Sequence, residues 1–267
     1  MIALDKRLSL AMLYRDYGRD YHGLYSVAFA ESTNPWNERG LYLGAEIKPT
    51  GRWIINAYLD QFRFPWLRYQ TDATSAGYDW LLQTTWTPNK KVQIYLRARY
   101  QNKPRNAAND GEGVDGLADV VQRNHRFNAS YKVSETINLR TRIERVDVQR
   151  GNDPVEHGFL IYQDLAYRPM RSPLEFTGRL ASFSSDGYNA RVYAYENDVI
   201  GLFTIPSYYG RGLRYYAMVR WTPVRHVDVW LRYGAWIYND QDRVGSGLDE
   251  APGNRKSDLK FEVRLRF

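Results

Sequence analysis

Apolar and polar residues alternate along most of this chain, and helical stripes are almost absent. A period of two puts successive side chains on opposite faces of an extended strand, so the chain is restricted to an all-β fold. The C-terminus shows it best. Leu259, Phe261, Val263, Leu265 and Phe267 share one face, and Lys260, Glu262, Arg264 and Arg266 share the other. Val227, Val229, Leu231, Tyr233, Ala235 and Ile237 oppose Asp228, Trp230, Arg232 and Trp236 in the same way. Residues 92–100, 137–144 and 213–221 repeat the pattern, and weaker versions fall at 8–14, 41–47, 53–59, 78–86, 127–133, 159–167 and 174–182. These runs predict about twelve strands of about 8–11 residues, the length of a tilted strand crossing a bilayer.

The connections carry a second pattern. Short turns at 49–51, 88–90, 134–136, 169–172 and 223–225 alternate with longer polar loops at 16–39, 62–76, 102–122, 148–156 and 239–256. One neat end and one ragged end is the layout of outer-membrane barrels, with short periplasmic turns and long extracellular loops. Trp53, Trp86, Tyr131, Tyr167 and Trp221 each stand on an apolar face beside a short turn. They predict an aromatic girdle at one lipid interface. No amphipathic helix is present to cover the apolar strand faces, so lipid is the expected cover, with the charged faces lining a wet lumen. An ordinary soluble barrel or sandwich is the competing reading.

Composition removes several classes. The chain has 267 residues, which suits one large domain or two ordinary ones, with 43% hydrophobic and 25% charged residues. It has no Cys, which excludes disulfides, thiolate metal sites and cysteine nucleophiles. No apolar run is long enough for a transmembrane helix. A net charge of +7 permits an anionic partner without demanding one. The first residues contain no apolar signal-peptide core.

The alternating terminus ending in Phe267 resembles the signal by which outer-membrane barrels are recognised for assembly. That resemblance implies the barrel assembly machinery as a partner, outer-membrane lipid as the surroundings and Phe267 as the true end. Most of the chain resembles the C-terminal barrel region of a Bacteroidetes outer-membrane family, the helix-hairpin-helix domain-containing proteins. The resemblance rests on Tyr14-Arg15-Asp16-Tyr17, Asn37-Glu38-Arg39-Gly40-Leu41-Tyr42, Phe64-Pro65-Trp66, Tyr195-Glu196-Asn197-Asp198, Tyr208-Tyr209-Gly210-Arg211-Gly212 and Gly245-Ser246-Gly247-Leu248-Asp249. The family's helical DNA-binding part has no counterpart here. The chain is therefore expected to be an N-terminally truncated piece of a larger barrel, and nucleic acid enters as a partner by family analogy alone.

Candidate chemistry is sparse. His22, His125, His157 and His226 stand in no metal-ligand spacing, and pairing His22 with Ser26 or Ser32 as a nucleophile is a guess. Asn239-Asp240-Gln241-Asp242 with Asp249 and Glu250 reads as a calcium loop or, more simply, a solvated acidic loop, and it lacks EF-hand spacing. No cofactor and no catalysis are expected. The functional clue is arginine on the charged faces: Arg97, Arg99, Arg140, Arg142, Arg179, Arg214, Arg232 and Arg264. Sharing a lumen, they would favour anions. Alternatively, Glu46, Asp60, Glu144, Glu175, Asp228 and Glu262 neutralise them in cross-strand pairs.

Residues 189–212 break the strand parity. They are expected to form an outer excursion, an inward-folded plug or a pair of short strands. The plug reading joins Glu196 or Asp198 to Arg211 or Arg214. Function is expected in outer-membrane transport, uptake or assembly. The alternatives are a non-conducting structural or adhesion barrel, a DNA-uptake barrel and a barrel enzyme.

Overall fold

The computed structural model describes residues 2–23, 28–107 and 116–267; Ser26 falls outside them. In chain order the strands are β1 (Ile2–Asp5), β2 (Leu8–Tyr17), β3 (Glu38–Thr50), β4 (Trp53–Phe64), β5 (Ser75–Asn89), β6 (Val92–Asn102), β7 (Arg105–Asn106) and β8 (Leu117–Ala118). They continue as β9 (Val120–Lys132), β10 (Ile137–Arg150), β11 (Glu156–Tyr167), β12 (Leu174–Ser185), β13 (Val192–Tyr193), β14 (Ser207–Tyr208), β15 (Arg211–Val224) and β16 (Val227–Tyr238). The last are β17 (Arg243–Val244), β18 (Ala251–Pro252) and β19 (Arg255–Leu265). The described residues contain no α-helix, only one 3-10 turn at Gly247–Asp249. The long strands are ordered in one sheet as they are in the chain, and the two-residue strands pair off separately.

The twelve long strands from β2 onward are the expected ones, but they run to 10–15 residues. The loops are correspondingly shorter than expected. Glu38 and Arg39 begin β3, and β4 extends to Phe64, although both stretches read as loop. The reason is chemical. Near the long-loop end the strands keep their period of two but the faces change character, with Gln61 and Arg63 on the otherwise apolar face of β4 and buried Phe62 and Phe64 on the charged one, so hydropathy no longer marks it.

The chain divides into two compact units: Met1–Thr87, Tyr95–His125 and Asp147–Val155 in the first, and Pro88–Ile94, Arg126–Val146 and Glu156–Phe267 in the second. In the first, β2, β3, β4 and β5 pair antiparallel in succession, with Trp53 directly opposite Trp86. In the second, β11, β12, β15, β16 and β19 do the same.

Burial is inverted relative to a water-soluble sheet. On the apolar face Met12, Leu96, Leu180 and Leu231 are exposed by 71%, 59%, 60% and 47%. On the charged face Arg15, Glu38, Asp60, Asp79, Arg179, Arg214, Asp228 and Arg232 are all buried. Each large apolar side chain left in water forgoes about 1.5–3 kcal/mol. Exposing whole rows of them is consistent only with an apolar surrounding medium.

Candidate functional site

The segment between β12 and β15 lies on the charged face of the second unit. Its two arms meet at the ribbon of β13 and β14, where Val192 pairs with Tyr208 and Tyr193 with Ser207. A further bridge joins Glu196 to Thr204, and Gly201 turns the tip with φ +82°. Ala190, Val192, Ala194, Val199 and Tyr208 are buried. The Tyr208 ring packs against Trp236 at 5.1 Å and Phe183 at 5.7 Å. These form a small apolar core on an otherwise ionic surface. Gly158 makes this approach possible, because a Cβ there would lie 1.8 Å from the Ala190 carbonyl oxygen.

Ionic bonds then fasten the segment. The Glu196 carboxylate is fully buried and accepts from Arg214 Nε at 3.0 Å and Nη2 at 2.9 Å, a bidentate pair. It also accepts from Arg232 Nη2 at 2.5 Å and from the Tyr208 hydroxyl at 2.9 Å. Asp258 supplies a second carboxylate to both guanidiniums, at 3.2 Å to Arg214 and 2.8 Å to Arg232. Asp198 accepts from Lys260 Nζ at 2.5 Å and from the Thr204 hydroxyl. Gly234 leaves room for this, since a Cβ there would come within 2.8 Å of Arg214. Burial alone would raise the Glu196 carboxyl, but Arg214, Arg232 and Tyr208 outweigh it and hold the pKa below the ordinary glutamate value. Asp198 is also lowered: Lys260, Thr204 and the Val199 amide overcome its desolvation.

Register measures how deep the segment reaches. Lys260 pairs with Arg232, and Arg232 with Met218. Asp198, bonded to Lys260, therefore sits level with Met218, midway along β15. Seven residues of strand separate that level from Arg211, or about 23 Å at the rise of a β-strand. Below the tip opens a cavity of about 470 Å³ whose charged lining is Arg140, Arg168, Arg220, Arg264, Glu175 and Asp198. The Nε atoms of Arg220 and Arg264 are buried there without a hydrogen-bond partner.

Most of the other arginines meet acids, but of the six acids expected to neutralise them only Glu144 and Asp228 do so among the described residues, Asp60 and Glu175 pairing instead with Arg15, Arg168 and Arg220. Arg179 forms a bidentate pair with Asp164, its cross-strand neighbour, at 2.6 and 2.8 Å. In the second unit Arg142 and Arg126 bind Glu144, and Arg264 binds Asp228 at 2.8 Å together with Arg220 and Arg266. In the first unit Arg99 binds Asp79, Arg97 donates to Gln83 at 2.8 Å, and Arg15 joins Glu38 at 2.6 Å to Asp60 at 2.7 Å. Arg140 is exposed at the cavity rim.

Arg211 departs from expectation. Its side chain is largely exposed and faces Asp186 at 3.6 Å instead of Glu196 or Asp198. Position explains this: Arg211 opens β15 at the loop end and points away from the charged face, whereas Arg214 has the opposite parity. Trp53, Trp86, Tyr131, Tyr167 and Trp221 are all exposed, with Trp53 and Trp86 stacked at 5.8 Å. Phe267 follows β19 with its ring in the open. The acidic loop does not converge on a metal site: Glu250 is paired with Arg243 at 3.0 Å, and no group of three acidic or His side chains is so placed among the described residues.

Sequence reasoning missed Asp258, Lys260 and Tyr208 as partners of the segment. Asp258 and Lys260 share parity with Glu262 and Arg264, so the strand period already put them on the right face. Tyr208 carried no such signal.

No protein family and no curated protein matches the chain. Solved structures do. The FrpB iron transporter from Neisseria meningitidis aligns over 88% of this chain at 13% identity with a TM-score of 0.50. CdiB from Acinetobacter baumannii aligns over 86% of this chain and 44% of its own at 12% identity and TM-score 0.47. OmpT of Vibrio cholerae aligns over 86% of this chain and 89% of its own at 10% identity and TM-score 0.40. The fold assignment rests on the first. The chain spans about two-fifths of the length of FrpB, 41% of that chain. With the inverted burial and the antiparallel meander, the fold class is that of the antiparallel transmembrane β-barrels.

Proposed function

We propose that this chain belongs to an outer-membrane barrel that passes small anionic solutes, with residues 186–210 as a fixed constriction in its wet interior. The carrying observation is the depth of the segment, held at mid-strand by Glu196 and Asp198. The arginine-rich cavity below the tip supports the anionic preference, because four guanidiniums face two carboxylates there. The exposed aromatics beside the short turns support a lipid interface, with those turns on the periplasmic side. Assembly machinery and helix-hairpin-helix kinship belong to the same reading.

Conductance in planar bilayers tests it. The native chain is expected to give small, anion-selective steps. A Glu196→Ala, Asp198→Ala double variant should conduct more, and Asp198→Asn alone should move in the same direction. Unchanged conductance and selectivity in both variants sinks the constriction.

A second reading is favoured by the pairing of most charged-face ions: a structural barrel with a filled interior. It is identified by the absence of conductance from the native chain and both variants in protein that is otherwise folded.

A further inference from the structure

A second cavity, of about 540 Å³, lies in the first unit, among the loops that follow β2, β4 and β6. Its walls are built. Glu38, buried and bonded to Arg15, also accepts from the backbone amides of Glu31 and Ser32 at 2.9 and 3.2 Å, which pins that loop in place. Asn37 adopts a positive φ of 53° and donates to the carbonyls of Trp66 and Leu67. Arg68 and Thr71 bridge through their backbones, and Gln70 between them receives the Asn106 amide at 2.9 Å.

The charge inside is lopsided. Lys103 has an acid, Glu31, at 3.1 Å. Arg68 and Arg105 have no carboxylate partner among the described residues. Arg68 donates to the Pro104 carbonyl at 2.9 Å and lies 4.1 Å above the Phe64 ring. Arg105 reaches only the Gln70 amide oxygen, at 3.3 Å. Burial, and then the neighbouring Arg105, push the Arg68 pKa down, outweighing the opposing pull of Glu31 and Glu38. Arg68 Nε and Thr71 Oγ1 are buried with no hydrogen-bond partner, and Thr71 is fully buried. A buried donor left unmade costs about 1–3 kcal/mol, so this wall of the cup carries an unmet polar demand.

We propose that this cup binds a small acidic sugar, its carboxylate on Arg68 and Arg105 and its hydroxyls on the polar wall. The acid follows from two adjacent guanidiniums that form no ion pair with a carboxylate among the described residues. The hydroxyl-rich body follows from the amides of Asn34 and Gln70 and the hydroxyls of Ser32 and Thr33 in the lining. Trp36 and Tyr69 add aromatic surface for the ring carbons. The volume suits a mono- or disaccharide, within the usual range of small-molecule sites. This site does not depend on the constriction.

Glucuronate, glucose and inorganic phosphate are the probes, titrated into the detergent-refolded chain and followed by tryptophan fluorescence and calorimetry. Glucuronate should bind at least tenfold more tightly than glucose. Arg68→Gln should weaken it at least tenfold, while Lys90→Gln, in the exposed turn between β5 and β6, should leave it unchanged. Trp36→Phe, which keeps the cations, should reduce the fluorescence response and retain binding. A heat-dependent gel shift in each variant shows that it has folded. No glucuronate binding, equal binding of glucose, or binding indifferent to Arg68→Gln overturns the site. Phosphate binding as tight as glucuronate overturns the sugar and leaves an anion site only.

Discussion

At the scale of single residues, the chain stores its strongest interactions where water is excluded. Glu196 is the clearest case. Removing one partner from a buried ionic cluster leaves the others uncompensated, typically at a cost of about 3–5 kcal/mol. Glu196→Ala leaves Arg214 and Arg232 to share Asp258, so chemical unfolding in detergent should show a loss near the lower end of that range. Gly234→Ala should cost about 1–3 kcal/mol by pushing a methyl group into Arg214. The acid response follows from the depressed carboxyls of Glu196 and Asp198. A lowered folded-state pKa contributes stability that is present above the unfolded value and lost as pH falls through the folded one. The segment should thus stay fastened through mildly acid pH and release only below the ordinary carboxylate range. Amide exchange at residues 192–208 across a pH series checks this. Glu31 behaves oppositely: burial raises its pKa despite Lys103, so its charge costs stability as pH rises above the unfolded value. Glu31→Gln should therefore tighten glucuronate binding in the cup, and titration calorimetry would show it.

At the scale of elements, two-residue periodicity sorts faces but does not choose partners. It was enough to place twelve strands and to put Arg179, Arg214, Arg232 and Arg264 on the charged side. Which carboxylate each arginine meets depends on register, and register is set by turn length and by bulges such as the one between Trp221 and Val224. Asp228 and Glu262 were both expected partners, and it is Asp228 that gathers Arg220, Arg264 and Arg266. The segment at 186–210 was harder still. Its two strands are two residues each, too short for any period to appear, and its position depends on contacts with β11, β15, β16 and β19. The cup in the first unit was invisible for a similar reason, since its walls come from three loops held by one buried glutamate. The apolar faces make their own prediction. Leu180 lies mid-strand in β12 opposite Tyr215. Leu180→Arg should destabilise the lipid-inserted protein by about 2–4 kcal/mol, and much less in a position beside a turn.

At the scale of the whole molecule, the same sequence that looks inverted in water is ordinary in lipid. Refolded into detergent, the chain should be rich in β-structure by circular dichroism and should migrate differently on a gel before and after heating. A chain soluble and folded without detergent would contradict the inverted burial. The fastening of the segment has a further consequence, one of timing. Every side chain that Glu196 and Asp198 bind comes later in the chain, from Thr204 and Tyr208 through Arg214 and Arg232 to Lys260 on the last strand. The last of these bonds, from Lys260 to Asp198, cannot form until β19 has docked. It is a built-in record of completion: a protease that cuts near Gly201 during assembly and fails to cut afterwards would report the moment the final strand arrives.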